Sequence, residues 1–141
     1  MLNKEKLTEL IKSVLTKNKF DQIETRTKLL LATCAVESDF GRYNYQIGSN
    51  VARGVFQMEE KTYNWVYDKY KDRYPLKDWN FIHDLEESIL ICSLLYKIYP
   101  ESLPENTPDG IWYYYKKYFN SDLGATTREK FNKACEKHFI F

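Results

Sequence analysis

Apolar residues recur at intervals of three and four along most of the chain, and polar breaks divide that pattern into six helical stretches. The first covers residues 4–18, where Leu7, Leu10, Ile11, Val14 and Leu15 share one face, with lysines and glutamates opposite. The second is expected to start at Asp21, whose side chain can cap while Glu24 reaches back in a D-x-x-E capping box, and to run to about Glu37 or Ser38. Gly41, Asn44, Gly48, Ser49 and Asn50 then break the periodicity, leaving a loop or a small β-hairpin. A short amphipathic helix over residues 60–70 turns Tyr63, Val66, Tyr67 and Tyr70 inward, and Pro75 lies in the connection after it. The strongest apolar stripe, Ile82, Leu85, Ile89, Cys92, Leu95 and Tyr96, predicts a central core helix from about Asn80 or Asp84 to Tyr99, with Pro100 beyond its end. Thr107 and Pro108 read as an N-cap followed by proline at the first helical position, opening a helix through Trp112 and Tyr115 to about Phe119. Residues 120–125 turn the chain, and Thr126 with Glu129 offers a second capping box for a last helix to about Phe139. Without a repeat, a low-complexity segment or a linker, residues 1–141 read as one mostly α domain.

A length of 141 residues is enough to bury one core without metal or disulfide staples. The 21 basic and 20 acidic residues leave a net charge of +1, which argues against nucleic acid as a partner. Aromatic residues make up 16% of the chain, with 12 tyrosines. A tyrosine ring suits a sugar face, but it suits a half-buried helix face equally well, and packing accounts for most of these. Cys34, Cys92 and Cys135 sit among apolar neighbours without CxxC or Cys-His spacing, so reduced core thiols are expected rather than disulfides or zinc. His83 and His138 have no second ligand nearby in sequence, so no metal site is expected. The first twenty residues lack the apolar core and cleavage site of a signal peptide, and no apolar run has membrane length. Export by the general secretory route and a membrane partner are therefore not expected, and without a coiled-coil seam the chain is read as a monomer.

The stretch whose pattern points to chemistry is 30–62, and its candidate acid is Glu37. Ile23, Thr27, Leu30 and Cys34 recur at helical spacing, so Glu37 continues the stripe that faces the core. A half-buried carboxyl group loses hydration of its charged form, its pKa rises, and it can hold a proton for a leaving group. Taken alone, a glutamate at a helix end is more often solvated or capping. Asp39, Glu59 and Glu60 are the nearby carboxylates: Asp39 follows the helix end, and the Glu59-Glu60 pair reads as the start of the next helix, where negative charge favours the dipole. Gly54 suits a turn where backbone comes close to backbone or substrate, and Gln57 carries both donors and an acceptor.

Glu37-Ser38 at a helix end, Ala52 and Gly54-Val55-Phe56-Gln57 further on, and then Thr62, resemble the SLT-type lytic transglycosylases of the lysozyme-like superfamily. The usual pattern there is Glu-Ser, then Ala-x-Gly-Leu-Met-Gln, then Thr; Val55 and Phe56 replace Leu-Met and leave Gly and Gln in register. The resemblance implies a lysozyme-like α+β fold with a small flap beside an active-site cleft, the cleft lying between this segment and the C-terminal helices. It implies cleavage of the β-1,4 bond between N-acetylmuramic acid and N-acetylglucosamine in peptidoglycan, with Glu37 as acid and then base and no cofactor. Ser38, Gly54, Phe56 and Gln57 are then expected at the substrate. The family's late Tyr-Asn pair corresponds to Tyr118-Phe119-Asn120-Ser121, with Phe119 standing where Tyr is usual. Tyr115 or Tyr118 is expected to supply the hydroxyl and Asn120 the amide, although the run 112–118 also reads as core packing and Asn120 as a helix cap.

A small domain of this kind resembles phage-encoded cell-wall enzymes, made in the host cytoplasm and brought to the wall by a holin or within the virion. Two other readings share these residues. One is a hydrolytic lysozyme with Asp39 as second carboxylate; the other is an inactive lysozyme-like protein bound to virion or tail partners.

Overall fold

In a computed structural model of the chain, which describes residues 1–44, 52–120 and 124–141, six α-helices and one two-stranded antiparallel sheet are present among the described residues. In order they are α1 (Lys4–Lys17), α2 (Ile23–Ser38), β1 (Ala52–Arg53), β2 (Met58–Glu59), α3 (Glu60–Tyr70), α4 (Leu85–Ile98), α5 (Pro108–Tyr118) and α6 (Arg128–Lys137). A short 3-10 turn, Trp79–Phe81, precedes α4. Gly48, Ser49, Asn50 and Ser121 lie outside the described residues.

The core is organised by α2 and α4, which pack on each other and are buried round most of their circumference. Residues 29–35 of α2 and 87–96 of α4 are continuously buried, because other helices cover these two from several sides. Helix α1 packs on both, α3 on α4, and α5 and α6 on α2. The outer helices need only one apolar face, and they bury Leu7, Ile11 and Leu15 from α1, Tyr63 and Val66 from α3, Ile111 and Tyr115 from α5, and Phe131 from α6. Each such side chain withdrawn from water contributes about 1.5–3 kcal/mol before entropy is counted. Tyr63, Tyr96, Tyr114 and Tyr115 are all completely or almost completely buried, so much of the aromatic content is packing. The three cysteines are free and buried, and burial pushes the Cys34 and Cys135 thiols up to about 12. No helix among the described residues is long and apolar enough to cross a membrane.

Several expected boundaries hold and some move. Thr107 caps α5 by accepting from the Gly110 N–H at 3.1 Å, with Pro108 in the first turn. Asp84 caps α4 through the Glu87 N–H at 3.0 Å, which leaves residues 79–81 as a separate turn. The start of α2 differs: Asp21 makes no cap, because its carboxylate and carbonyl take the Arg26 guanidinium at 2.9 and 2.8 Å, and Gln22 enters the helix in the left-handed region at φ 50°. The last helix is capped by Thr127, one residue later than expected, since the Thr126 hydroxyl turns toward α5; α6 ends at Lys137. The strands flank the Gly54–Gln57 turn, with Ala52 opposite Glu59 and Arg53 opposite Met58. Two residues per strand are too few for an alternating pattern to register in sequence.

The connection before α4 is held by the buried carboxyl group of Glu87. Tyr63 donates to Glu87, and the Lys77 N–H donates to the same oxygen at 3.1 Å. Replacing Tyr63 with Phe removes that donor while leaving the carboxyl buried, which costs about 1–3 kcal/mol. Urea denaturation of Tyr63→Phe checks this, and a loss below about 0.5 kcal/mol contradicts it.

Candidate active site

Helix α2 ends abruptly after Glu37, and that ending builds the site. Asp39 and Phe40 are both left-handed, at φ 52° and 55°, and Gly41 follows at φ 80°. Two non-glycine residues there are strained by roughly 1 kcal/mol each. Their side chains offset it: Phe40 is buried and stacked on His138 at 4.2 Å, and Asp39 binds His138 at 2.5 Å and Lys137 at 2.7 Å. The chain thus leaves α2 sharply and Glu37 stays at the base of a groove.

That groove, about 670 Å³, is lined among the described residues by Glu37 and Leu95 from the core helices. The hairpin and first turn of α3 contribute Ala52, Gln57, Met58, Glu59, Lys61 and Thr62, and the segment after α5 contributes Phe119, Asn120, Gly124, Ala125 and Thr126. Burial pushes the Glu37 carboxyl up to about 7, against the lowering effect of a hydrogen bond from Tyr115. Tyr115 is completely buried, stacked on Phe119 and packed on Phe131, and donates its hydroxyl to Glu37 Oε2. Burial, and then the Glu37 charge, hold the Tyr115 phenol well above its ordinary pKa, so it remains a donor. Thr126 Oγ1 lies 3.3 Å from the same hydroxyl. With Oε2 occupied by Tyr115, Oε1 is the oxygen left to carry a proton.

The other expected site residues divide into those at the groove and those that support it. Gln57 is at the groove, left-handed at φ 49°, with Nε2 donating to the carbonyls of Gly54 at 2.9 Å and Tyr43 at 3.2 Å. Its Oε1 is not used by these bonds. Asn120 is also at the groove, with Oδ1 accepting from Lys116 Nζ at 2.9 Å and the Thr126 N–H at 3.3 Å. Of the two tyrosines expected to bring a hydroxyl here, Tyr115 is the one that meets Glu37. Ser38 does not line the groove: it is 1% accessible, donates to the Val55 carbonyl at 2.5 Å and accepts from the Gly41 N–H at 2.8 Å, tying the helix end to the turn. Phe56 is 2% accessible and belongs to the core. Gly54 is structural: at φ +79° it donates to the Asn44 carbonyl, and a Cβ would meet the Ile82 carbonyl at 3.0 Å. Tyr118 stacks on Tyr99 at 4.2 Å and does not line the groove.

Of the carboxylates weighed beside Glu37, Asp39 is committed elsewhere. Burial would raise its pKa, but hydrogen bonds from Lys137 and His138 hold it below the ordinary range, and it does not line the groove. Glu59 does line it, half-exposed in β2 and 3.9 Å from Lys61 Nζ. Thr126 lines the groove and Lys116 binds its carbonyl from α5, and no motif marks either; the Thr126-Thr127 pair carries a signal, since only one of the two can cap α6. Among the described residues no three His, Cys, Asp or Glu side chains are placed to hold a metal ion. Comparison of the chain with family models, with curated proteins and with solved structures finds no match in any of the three.

A carboxyl group whose pKa rises from 4.5 to about 7 on folding weakens the native state as pH climbs through that interval, by about 3 kcal/mol in all. Glutamine keeps the acceptor for Tyr115 without ionising. Relative to wild type, Glu37→Gln is therefore expected to gain about 3 kcal/mol of unfolding free energy between pH 4 and pH 8, as followed by denaturant titration at each pH. A difference that does not change with pH contradicts the assignment.

Proposed function

We propose that this chain is a lysozyme-like peptidoglycan lytic transglycosylase. The observation that carries the reading is Glu37: a carboxyl group with a pKa of about 7, at the base of a groove, oriented by the Tyr115 hydroxyl. The residue pattern around it, Glu37-Ser38 and Gly54 to Gln57, supports the same family.

In this reading a glycan strand lies between the hairpin and the segment after α5. Protonated Glu37 gives its proton to the oxygen joining N-acetylmuramic acid C1 to N-acetylglucosamine O4, and that C1–O4 bond breaks. The departing sugar leaves with a 4-hydroxyl, and the substrate's own N-acetyl group shares the positive charge on C1. The Glu37 carboxylate next takes the proton of the C6 hydroxyl, O6 bonds to C1, and a 1,6-anhydro ring closes. Glu37 ends protonated, no water is consumed and no cofactor is needed. Tyr115 fixes the carboxyl through both steps, while Gln57 and Asn120 present amides to the sugar. Ser38, Gly54 and Phe56 serve by holding the turn that carries Gln57. The glycan strand is the partner, and delivery to the wall from the cytoplasm by a holin or a virion fits the phage-enzyme resemblance.

A second reading rests on Glu59. It is a second carboxylate in the groove, and in a hydrolase it, rather than Asp39, would hold the attacking water. Mass spectrometry of muropeptides released from purified peptidoglycan separates the readings. Ends in 1,6-anhydro-N-acetylmuramic acid are expected, lost with Glu37→Gln. Reducing ends that have gained water, lost with Glu59→Gln as well, favour the hydrolase; no release by folded wild type overturns both and favours an inactive structural protein. Because the first step needs the proton on Glu37, kcat/KM is expected to fall as pH rises through about 7.

A further inference from the structure

The groove wall after α5 has its own fastening, centred on a lysine that neither the family pattern nor the chemistry above uses. Lys116 Nζ donates to Asn120 Oδ1 at 2.9 Å, to the Gly124 carbonyl at 3.1 Å and to the Thr126 carbonyl at 2.9 Å. An ammonium group has three N–H bonds, so these acceptors saturate it. Asn120, Gly124 and Thr126 all line the groove, and Thr126 also meets the Tyr115 hydroxyl that orients Glu37. Close packing at Gly124 points the same way: a Cβ there would lie 2.1 Å from the Asn120 carbonyl oxygen and 2.4 Å from Asn120 Oδ1. Any side chain at 124 would force apart the groups that Lys116 draws together.

We infer that Lys116 is a positioning residue, a three-point clasp that sets the shape of this groove wall by holding Asn120, Gly124 and Thr126 together. The functional half of this inference rests on the glycan-cleaving reading; the structural half does not. Lys117 is the internal control, since the next residue along α5 binds Glu101 and Tyr113 instead.

The test compares wild type with Lys116→Met, Gly124→Ala and Lys117→Met in two measurements. Amide hydrogen exchange at Thr126, whose N–H bonds Asn120, is expected to quicken about 10-fold or more in Lys116→Met and Gly124→Ala and to stay unchanged in Lys117→Met. With peptidoglycan strands as substrate, KM is expected to rise about 10-fold in the first two variants with kcat within about threefold, because the wall that receives the glycan is lost while Glu37 and Tyr115 remain. Gly124→Ala decides the matter should Lys116→Met fail to fold. Unchanged exchange in the folded variants overturns the clasp. Faster exchange with unchanged KM overturns its role in positioning and leaves only a structural tie. If wild type does not cleave glycan, faster exchange still supports the clasp, and the failure lies with the proposed function.

Discussion

A carboxyl group withdrawn from water favours its neutral form, and the arrangement of this molecule keeps Glu37 in that condition. Core helices lie behind it, the hairpin stands on one side, and the segment after α5 stands on the other. Tyr115 pulls the pKa down while burial pushes it up, and the result of about 7 is poised for giving and taking a proton. Were the tyrosine alone dominant, Glu37 would be an ordinary carboxylate; were burial unopposed, it would hold its proton too firmly to release it.

The strain and packing around the site follow from that requirement. The helix that carries Glu37 must stop one residue later, and the left-handed pair Asp39 and Phe40 makes it stop. Asp39 reaches across to Lys137 and His138 at the end of α6, and Ser38 fastens the helix end to Val55 in the turn. One helix terminus is thereby joined both to the C-terminal helix and to the hairpin that carries Gln57. The neighbouring residues serve Glu37 by fixing the backbone around it.

Much of this was legible in the sequence because it depends on local spacing. The stripe through Ile23, Thr27, Leu30 and Cys34 placed Glu37 at the edge of the core, and the apolar run of α4 marked the central helix. The Thr107-Pro108 pair announced the start of α5. What was not legible depends on partners distant in the chain or on competition between neighbours. Arg26 takes Asp21 away from the helix start, and Lys137 and His138 claim Asp39, which sequence order alone presents as a free carboxylate. Ser38 and Phe56 sit within the motif but turn inward, because a motif fixes spacing and not the direction of each side chain. Glu59 reads in sequence as the start of a helix, because a strand of two residues leaves no alternating pattern to place it in the hairpin, and Thr126 is masked by the equal capping power of Thr127 beside it.

A carbon-13 NMR titration of the Glu37 side-chain carboxyl in the folded protein reads this balance of burial and hydrogen bonding at its source. A midpoint near pH 7 is expected, set by burial and held down by Tyr115. In Tyr115→Phe the same group should titrate higher still, because the donor that favours its charged form is gone. A midpoint near 4.5 in wild type would mean that Glu37 is an ordinary solvated carboxylate, and the groove would lose its acid.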